Sequence, residues 1–351
     1  MRKDTKGTVY LIGAGINKCI KGEDGISPPL SKSFFSTLFK KDKCAKEYYI
    51  NKFSSVFCYI EKYWTLNPDS LSETHFDIGE CFTLLQLQIL EALDEKRYLD
   101  AYELIKINSL FKVMFIENLY PFQKFAKESS AMVSFGKRIC ENGESIITFN
   151  YDCNLEKAIE YATGISAQNS QCYGVCFDEV KMQKENNLIN GKINNQSLKG
   201  FEILKLHGSL NWVNYIELKD DKKINIDGSG KVVLTNKCWW QDNEIYTDKG
   251  IMDPLIIPPV LYKDYRQKLI HGIWKKAKDE LKSCKELVII GYSFPITDFS
   301  IKKLLLESFQ GRELENLIWV NPNTTAIEDV KRILHYNKPI ILCSCLEEFV
   351  K

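Results

Sequence analysis

Apolar and polar positions are mixed along most of this chain. At five places, however, four or five mainly aliphatic or β-branched residues run together and then stop on a small, polar or titratable one. Thr8-Val9-Tyr10-Leu11-Ile12 stops on Gly13-Ala14-Gly15, and Ile146-Ile147-Thr148-Phe149 on Asn150-Tyr151-Asp152. Ile203-Leu204-Lys205-Leu206 stops on His207-Gly208-Ser209, Leu287-Val288-Ile289-Ile290 on Gly291-Tyr292-Ser293, and Leu317-Ile318-Trp319-Val320 on Asn321-Pro322. Such runs fit strands covered on both faces, as in a parallel sheet. Ligands of open α/β sheets bind beyond the carboxyl ends of the strands. The five stops are therefore expected to line one crevice.

Between the first two runs the pattern changes period. From about residue 31 to 145, apolar residues recur at three- and four-residue spacing among charged ones, as at Phe82, Leu85, Leu87, Leu90, Leu93 and Tyr98. Pro68 and Pro121 are the only prolines there and are expected at helix boundaries or first turns. More than a hundred residues is far longer than a simple crossover, so this segment is expected to be a helical insertion packed at one side of the sheet. Residues 164–200, rich in Asn, Gln, Lys and Gly, read as a surface excursion. Within 214–250, Ile224–Asp227 and Lys231–Leu234 flank a glycine turn and predict a small β-hairpin insertion. Trp274 to Leu281 reads as a helix. The expected architecture is a single α/β, Rossmann-like parallel sheet with flanking helices and these two insertions.

Bulk properties narrow the function classes. Lys+Arg 47 against Asp+Glu 46 leaves a formal charge of +1, so no global field attracts nucleic acid or an acidic membrane. No apolar stretch approaches the ~18 residues a membrane span needs. The first strand follows the amino terminus almost directly, which leaves no room for a signal peptide and predicts a cytoplasmic protein. Twelve cysteines are scattered without any C-x-x-C pair, so they are expected to be reduced, packed as small hydrophobes and free of metal.

Each stop carries its own chemistry. Gly13-Ala14-Gly15 suits a turn whose backbone approaches a phosphate, although Lys18 stands where a dinucleotide fingerprint would have its third glycine. An ordinary tight turn reads equally well. Asn150 offers a donor and an acceptor, or a turn cap together with Asp152. Of the four histidines only His207 directly follows a buried run, and Gly208 is expected to leave room for a ligand beside the imidazole. Ser293 and Asn321 suit ribose hydroxyls or an adenine edge.

In this order the stops resemble the sirtuin-like NAD-binding family, whose GAG-x-S loop, T-Q-N-x-D strand end, HG dipeptide, G-T-S turn and later asparagine line one pocket. The matching stretches are Gly13-Ala14-Gly15-Ile16-Asn17, Thr148 to Asp152, His207-Gly208, Gly291-Tyr292-Ser293 and Asn321. Asn17 replaces the loop serine and Phe149 the glutamine. Only Cys238 and Cys284 lie between the HG and G-T-S positions, so the four-cysteine zinc module of the deacylases is missing. The wording is most similar to the bacterial antiphage-defence branch, which acts as an NAD hydrolase. The resemblance implies NAD+ as substrate and no metal. Asn150 and His207 would be catalytic, while Gly13, Ala14, Gly15, Ile16, Asn17, Asp152, Gly291, Ser293 and Asn321 would bind the dinucleotide. By the same analogy the protein would be the toxic effector of an antiviral system, a homo-oligomer partnered by a HerA-type ATPase or another defence-system sensor. The rival readings are an NAD-dependent protein deacylase or ADP-ribosyl transferase, and a non-catalytic NAD or ADP-ribose module that signals by assembly.

Overall fold

The computed structural model describes residues 7–30, 33–39, 43–74, 76–168, 170–177, 201–217, 231–235, 246–247, 250–258, 260, 263, 265, 267–295 and 298–351. Ten strands lie among them: β1 (Thr8–Ile12), β2 (Ser145–Thr148), β3 (Glu202–Lys205), β4 (Gly208–Glu217), β5 (Lys231–Leu234), β6 (Tyr246–Thr247), β7 (Gly250–Ile256), β8 (Glu286–Ile290), β9 (Asn316–Val320) and β10 (Ile341–Cys343). Six of them form one sheet in the order β10-β9-β8-β1-β2-β3, with every pairing parallel. The chain builds outward from β1 through β2 to β3, then returns to the other side of β1 with β8. That reversal between β1 and β8 is the switch point at which doubly wound sheets open a crevice.

The five apolar runs are thus strands of one α/β sheet. β10 is added at the edge, where Ile341 and Leu342 are exposed. Helices Ser130–Asn142, Asn154–Thr163, Lys268–Ser283, Phe299–Phe309 and Ile327–Leu334 give Ile139, Ile159, Ile273, Leu305 and Val330 to the same core. The predicted Trp274–Leu281 helix lies inside helix Lys268–Ser283.

Helices also fill the stretch between β1 and β2, and both prolines mark boundaries there. Pro68 opens the helix Pro68–Glu73 behind the Asn67 cap, and Pro121 sits in the 3-10 turn that follows helix Tyr98–Leu119. In helix Ile78–Asp94, capped by Asp77, the buried face is Ile78, Phe82, Leu85, Ile89 and Ala92. Leu87 and Leu90 are exposed, because only the first set keeps the 3.6-residue period. This helical segment has a core of its own, dominated by rings: Phe34 stacks on Phe115 and Phe82 on Phe111, both at 4.4 Å between centroids. The segment divides before its end. Residues 34–119 supply the aromatic core, whereas Ala126, Met132, Phe135 and Ile139 belong to the parallel-sheet core.

Lys231–Leu234, one half of the expected hairpin, is a strand and pairs antiparallel with β4; its other half, Ile224–Asp227, falls outside the described residues along with 178–200 and Cys238. Together β5-β4-β7-β6 make a four-stranded antiparallel sheet. Trp212, Val232, Leu234 and Leu255 face the parallel-sheet core, and Leu210, Val213, Val233, Met252 and Ile256 the aromatic one. A pairing irregularity between Gly208 and Val213 lets β4 serve both sides. The small sheet is a wall between two cores, and the helices pack on that wall.

Candidate functional site

The carboxyl ends of β1, β2, β3 and β8 are stitched together by backbone. Gly13 N–H donates to the Ile290 carbonyl and Gly15 N–H to the Gly291 carbonyl, both at 2.9 Å, and Phe149 N–H donates to the Ile12 carbonyl at 3.1 Å. Gly291 has φ +59°, and a Cβ there would lie 2.3 Å from the Ile16 nitrogen. Its glycine is required by the approach of the two loops, and the room at Gly13 and Gly15 is likewise taken up by Gly291 and Tyr292. These glycines bring protein backbone against protein backbone.

Asn17 and Asp152, far apart in sequence, touch. The Asn17 side-chain amide donates to Asp152 Oδ2 at 2.7 Å, and the Asn154 amide donates to Asn17 Oδ1 at 3.2 Å. Asp152 Oδ1 also accepts the Asn154 backbone N–H at 3.1 Å. Burial raises the Asp152 carboxyl against the opposing pull of Lys205 and these donors. Lys205 is itself buried in β3, donating to the Asp152 carbonyl at 2.5 Å and pairing with Glu156 at 3.0 Å. Tyr173 donates to the same Glu156 oxygen at 3.1 Å. This buried network pins the first turn of helix Asn154–Thr163 to β3.

Asn150 and His207 leave neighbouring strands at the same height. Thr148 and Lys205 are paired in register, and each of the two residues follows its partner strand by two positions. The Asn150 side-chain amide donates to the Gly13 carbonyl at 3.3 Å, across the mouth of β1. His207 is buried against the rings of Phe149 and Tyr151. Its Nε2 lies 3.3 Å from Asp298 Oδ1 and 3.4 Å from Lys263 Nζ, and Lys263 contacts the same carboxylate oxygen. Tyr292, stacked on Phe149 at 4.3 Å, donates its hydroxyl to Asp298 Oδ2 at 2.6 Å. Burial first, and then the Lys263 ammonium, push the His207 imidazole well below its usual range. Burial also brings Lys263 down to about 7.

The sequence-predicted residues are therefore not all alike. Gly13, Gly15, Ile16, Asn17, Asn150, Asp152 and Gly291 form one contiguous patch, and Asn321 joins it by donating to the Tyr292 carbonyl at 3.2 Å. Ala14 and Ser293 are exposed at its rim. The space expected beside Gly208 is absent: a Cβ there would lie 1.9 Å from the Leu255 carbonyl oxygen, so Gly208 admits strand β7 and not a ligand. Sequence reasoning missed Lys205, Glu156, Lys263 and Asp298. Lys205 alone carried a signal, as a lysine inside an otherwise apolar run. Among the described residues, no group of three or more His, Cys, Asp or Glu is placed to hold a metal ion, and no helix is long and apolar enough to cross a membrane.

Against known proteins, residues 144–337 match the SIR2-like domain family. No curated protein matches the chain. Among solved structures, it is similar to a serine-to-alanine mutant of a Sir2 homologue in complex with ADP-ribose. That likeness covers 99% of this chain and 91% of that one, at 14% identity and a TM-score of 0.39. A second similar structure, described under the structural basis for the mechanism and regulation of Sir2 enzymes, is 12% identical with a TM-score of 0.37. It covers 99% of this chain and 89% of that one.

Proposed function

The chain belongs to the family of SIR2-like domains, and from that premise we propose that it binds NAD+ in this crevice and hydrolyses it to nicotinamide and ADP-ribose. One observation carries the reading: a buried amide and a buried imidazole, Asn150 and His207, leave adjacent strands at matching height beside the switch point. The donor set fits a dinucleotide. Asn150 and His207 present neutral hydrogen-bonding groups, and a glycine-built loop anchored through Asn17 lies at the end of β1.

Breaking the nicotinamide–ribose bond builds positive charge on the sugar, which preorganised polar groups stabilise. Asn150 orients the attacking water or the ribose through its amide. His207, kept neutral by burial and by Lys263, is in the form that accepts a proton at working pH. Asp152, with Asn17 on one oxygen and the Asn154 N–H on the other, holds the loop that carries the pocket's floor.

The resemblance to the antiphage branch extends the proposal. On this reading the protein is a toxic NAD hydrolase of a bacterial antiviral system, acting in the cytoplasm as a homo-oligomer partnered by a HerA-type ATPase or another defence-system sensor.

The test is to incubate purified protein with NAD+ and quantify nicotinamide and ADP-ribose. Asn150→Ala and His207→Ala are each expected to slow nicotinamide release by about a hundred- to ten-thousand-fold with melting unchanged. A loss below about threefold in both removes them from the chemistry. ADP-ribose recovered on protein or on an acyl group would point to the transferase or deacylase reading.

A further inference from the structure

His207 does not stand alone at the end of β3, and the groups against it come from chain segments that local sequence does not connect. Asp298 is the residue before helix Phe299–Phe309, yet its side chain makes no capping bond to that helix. It turns inward instead, one oxygen against Lys263 and 3.3 Å from His207 Nε2, the other accepting from the Tyr292 hydroxyl. Asp298, Lys263 and His207 are each at least 92% buried, their exposures being 5%, 8% and 4%. A carboxylate and an ammonium are costly to bury unless each is paired. Here the pair closes on one nitrogen of the imidazole.

We propose that Asp298 is a positioning residue for His207, its carboxylate beside Nε2 so that Nδ1 is the nitrogen that exchanges a proton with substrate, and that Lys263 acts on the same ring only as the opposing charge. The proposal rests on the reading of His207 as the acting base. In the step, the O–H bond of the attacking water or of a ribose hydroxyl breaks, a bond from that hydrogen to Nδ1 forms, and the electron pair stays on oxygen. Hydrolysis of NAD+ to neutral nicotinamide releases one proton overall, which leaves through the ring. While the ring is charged, the Asp298 carboxylate oxygen 3.3 Å from Nε2 stabilises that charge. Lys263 opposes that charge and so favours return of the ring to the neutral form.

The other titratable groups around the ring do not share this task. Tyr151 and Tyr292 are held protonated by burial, as is Tyr265 near both of them. Asp152 and Lys205 are engaged with Asn17, Asn154 and Glu156 on the far side of the β2 loop. Two opposite charges therefore act on one ring, and neutralising each gives an opposite sign.

The experiment is a histidine NMR titration of the full-length, nitrogen-15-labelled protein, with the His207 signal assigned through His207→Gln. In the wild type we expect the Nε2–H tautomer. Lys263→Met should raise the pH at which the ring titrates by about one unit or more, and Asp298→Asn should keep the ring neutral to still lower pH. The acid limb of nicotinamide release should move the same two ways. Asp298→Asn should lower kcat about a hundredfold or more while KM changes little. An Nδ1–H tautomer in the wild type, or shifts of the same sign in both variants, overturns the proposal, and Lys263→Met with the wild type decides it if Asp298→Asn does not fold. Opposite shifts in a protein that releases no nicotinamide would uphold the grip and sink the hydrolase reading. Unshifted signals in an active enzyme would do the reverse.

Discussion

The two cores on either side of the antiparallel wall are built of different material. Around the parallel sheet the buried residues are mostly aliphatic, and apart from Glu280, which accepts from Ser145 at the start of β2, the buried charges gather at one end: Lys205, Glu156, Asp152, His207, Lys263 and Asp298. The helical core of residues 34–119 is a stack of phenylalanines whose buried charges lie at its margins, Lys52 with Glu117 and Lys112 with Asp253. Aliphatic packing around hydrogen-bonded strands holds the ends of those strands in register, and there a polar cluster is kept at fixed height. The ring stack supplies volume and burial without such a rung. The candidate site belongs to the first core, and the second is attached through the wall.

The Lys112–Asp253 pair tests that attachment most severely. It joins helix Tyr98–Leu119 to β7 at 2.8 Å, with Ser109 on the second contact. Lys112→Met leaves Asp253 buried without its cation, and losing one member of a buried pair costs about 3–5 kcal/mol. Because the wall is covered on both faces, the expected result is one cooperative unfolding transition at lower denaturant. Two separated transitions would mean that the halves fold independently.

Acid sharpens the contrast by a smaller amount. His207 is neutral when folded and has a depressed pKa, so the unfolded chain binds the extra proton first. Stability should therefore fall as pH drops below the ordinary imidazole value of about 6.5, by up to ~1.4 kcal/mol per pH unit, and His207→Gln should flatten that slope. Denaturation curves at pH 7, 6 and 5 measure it. A slope unchanged in the variant would assign the acid sensitivity elsewhere.

The smallest effect is expected at the surface. Lys124 bridges to Glu23 at 2.6 Å, with both side chains more than half exposed. Lys124→Ala should alter stability by no more than ~0.5 kcal/mol, since water screens such pairs. A larger loss would show that this rim contact also ties the β1 loop to the helices.

The sequence made the parallel sheet legible because its central strands are covered on both faces and must be continuously apolar, as Leu287 to Ile290 are. It concealed β10, whose Ile341 and Leu342 are exposed at an edge and repeat over only three residues. It concealed β4 and β7 because Asn211, Asn214, Asp253 and Pro254 interrupt their apolar pattern while the strands remain buried by two different neighbours. The site was half legible. Asn150 and His207 stand directly behind strands, whereas Lys263 and Asp298 sit in stretches without periodicity and acquire meaning only when the chain returns to β3. Gly208 was misread for a related reason: the backbone it accommodates, Leu255, is distant in sequence.

Strand β5 shows what the wall demands of its coding length. Val232 and Leu234 serve one interior and Val233 the other, so inserting a single residue within this strand would exchange the allegiance of every side chain after it that stays paired. Substitutions among valine, isoleucine and leucine are tolerable there. A shift of one within the strand is not, so length in this short segment is as strictly specified as side-chain type.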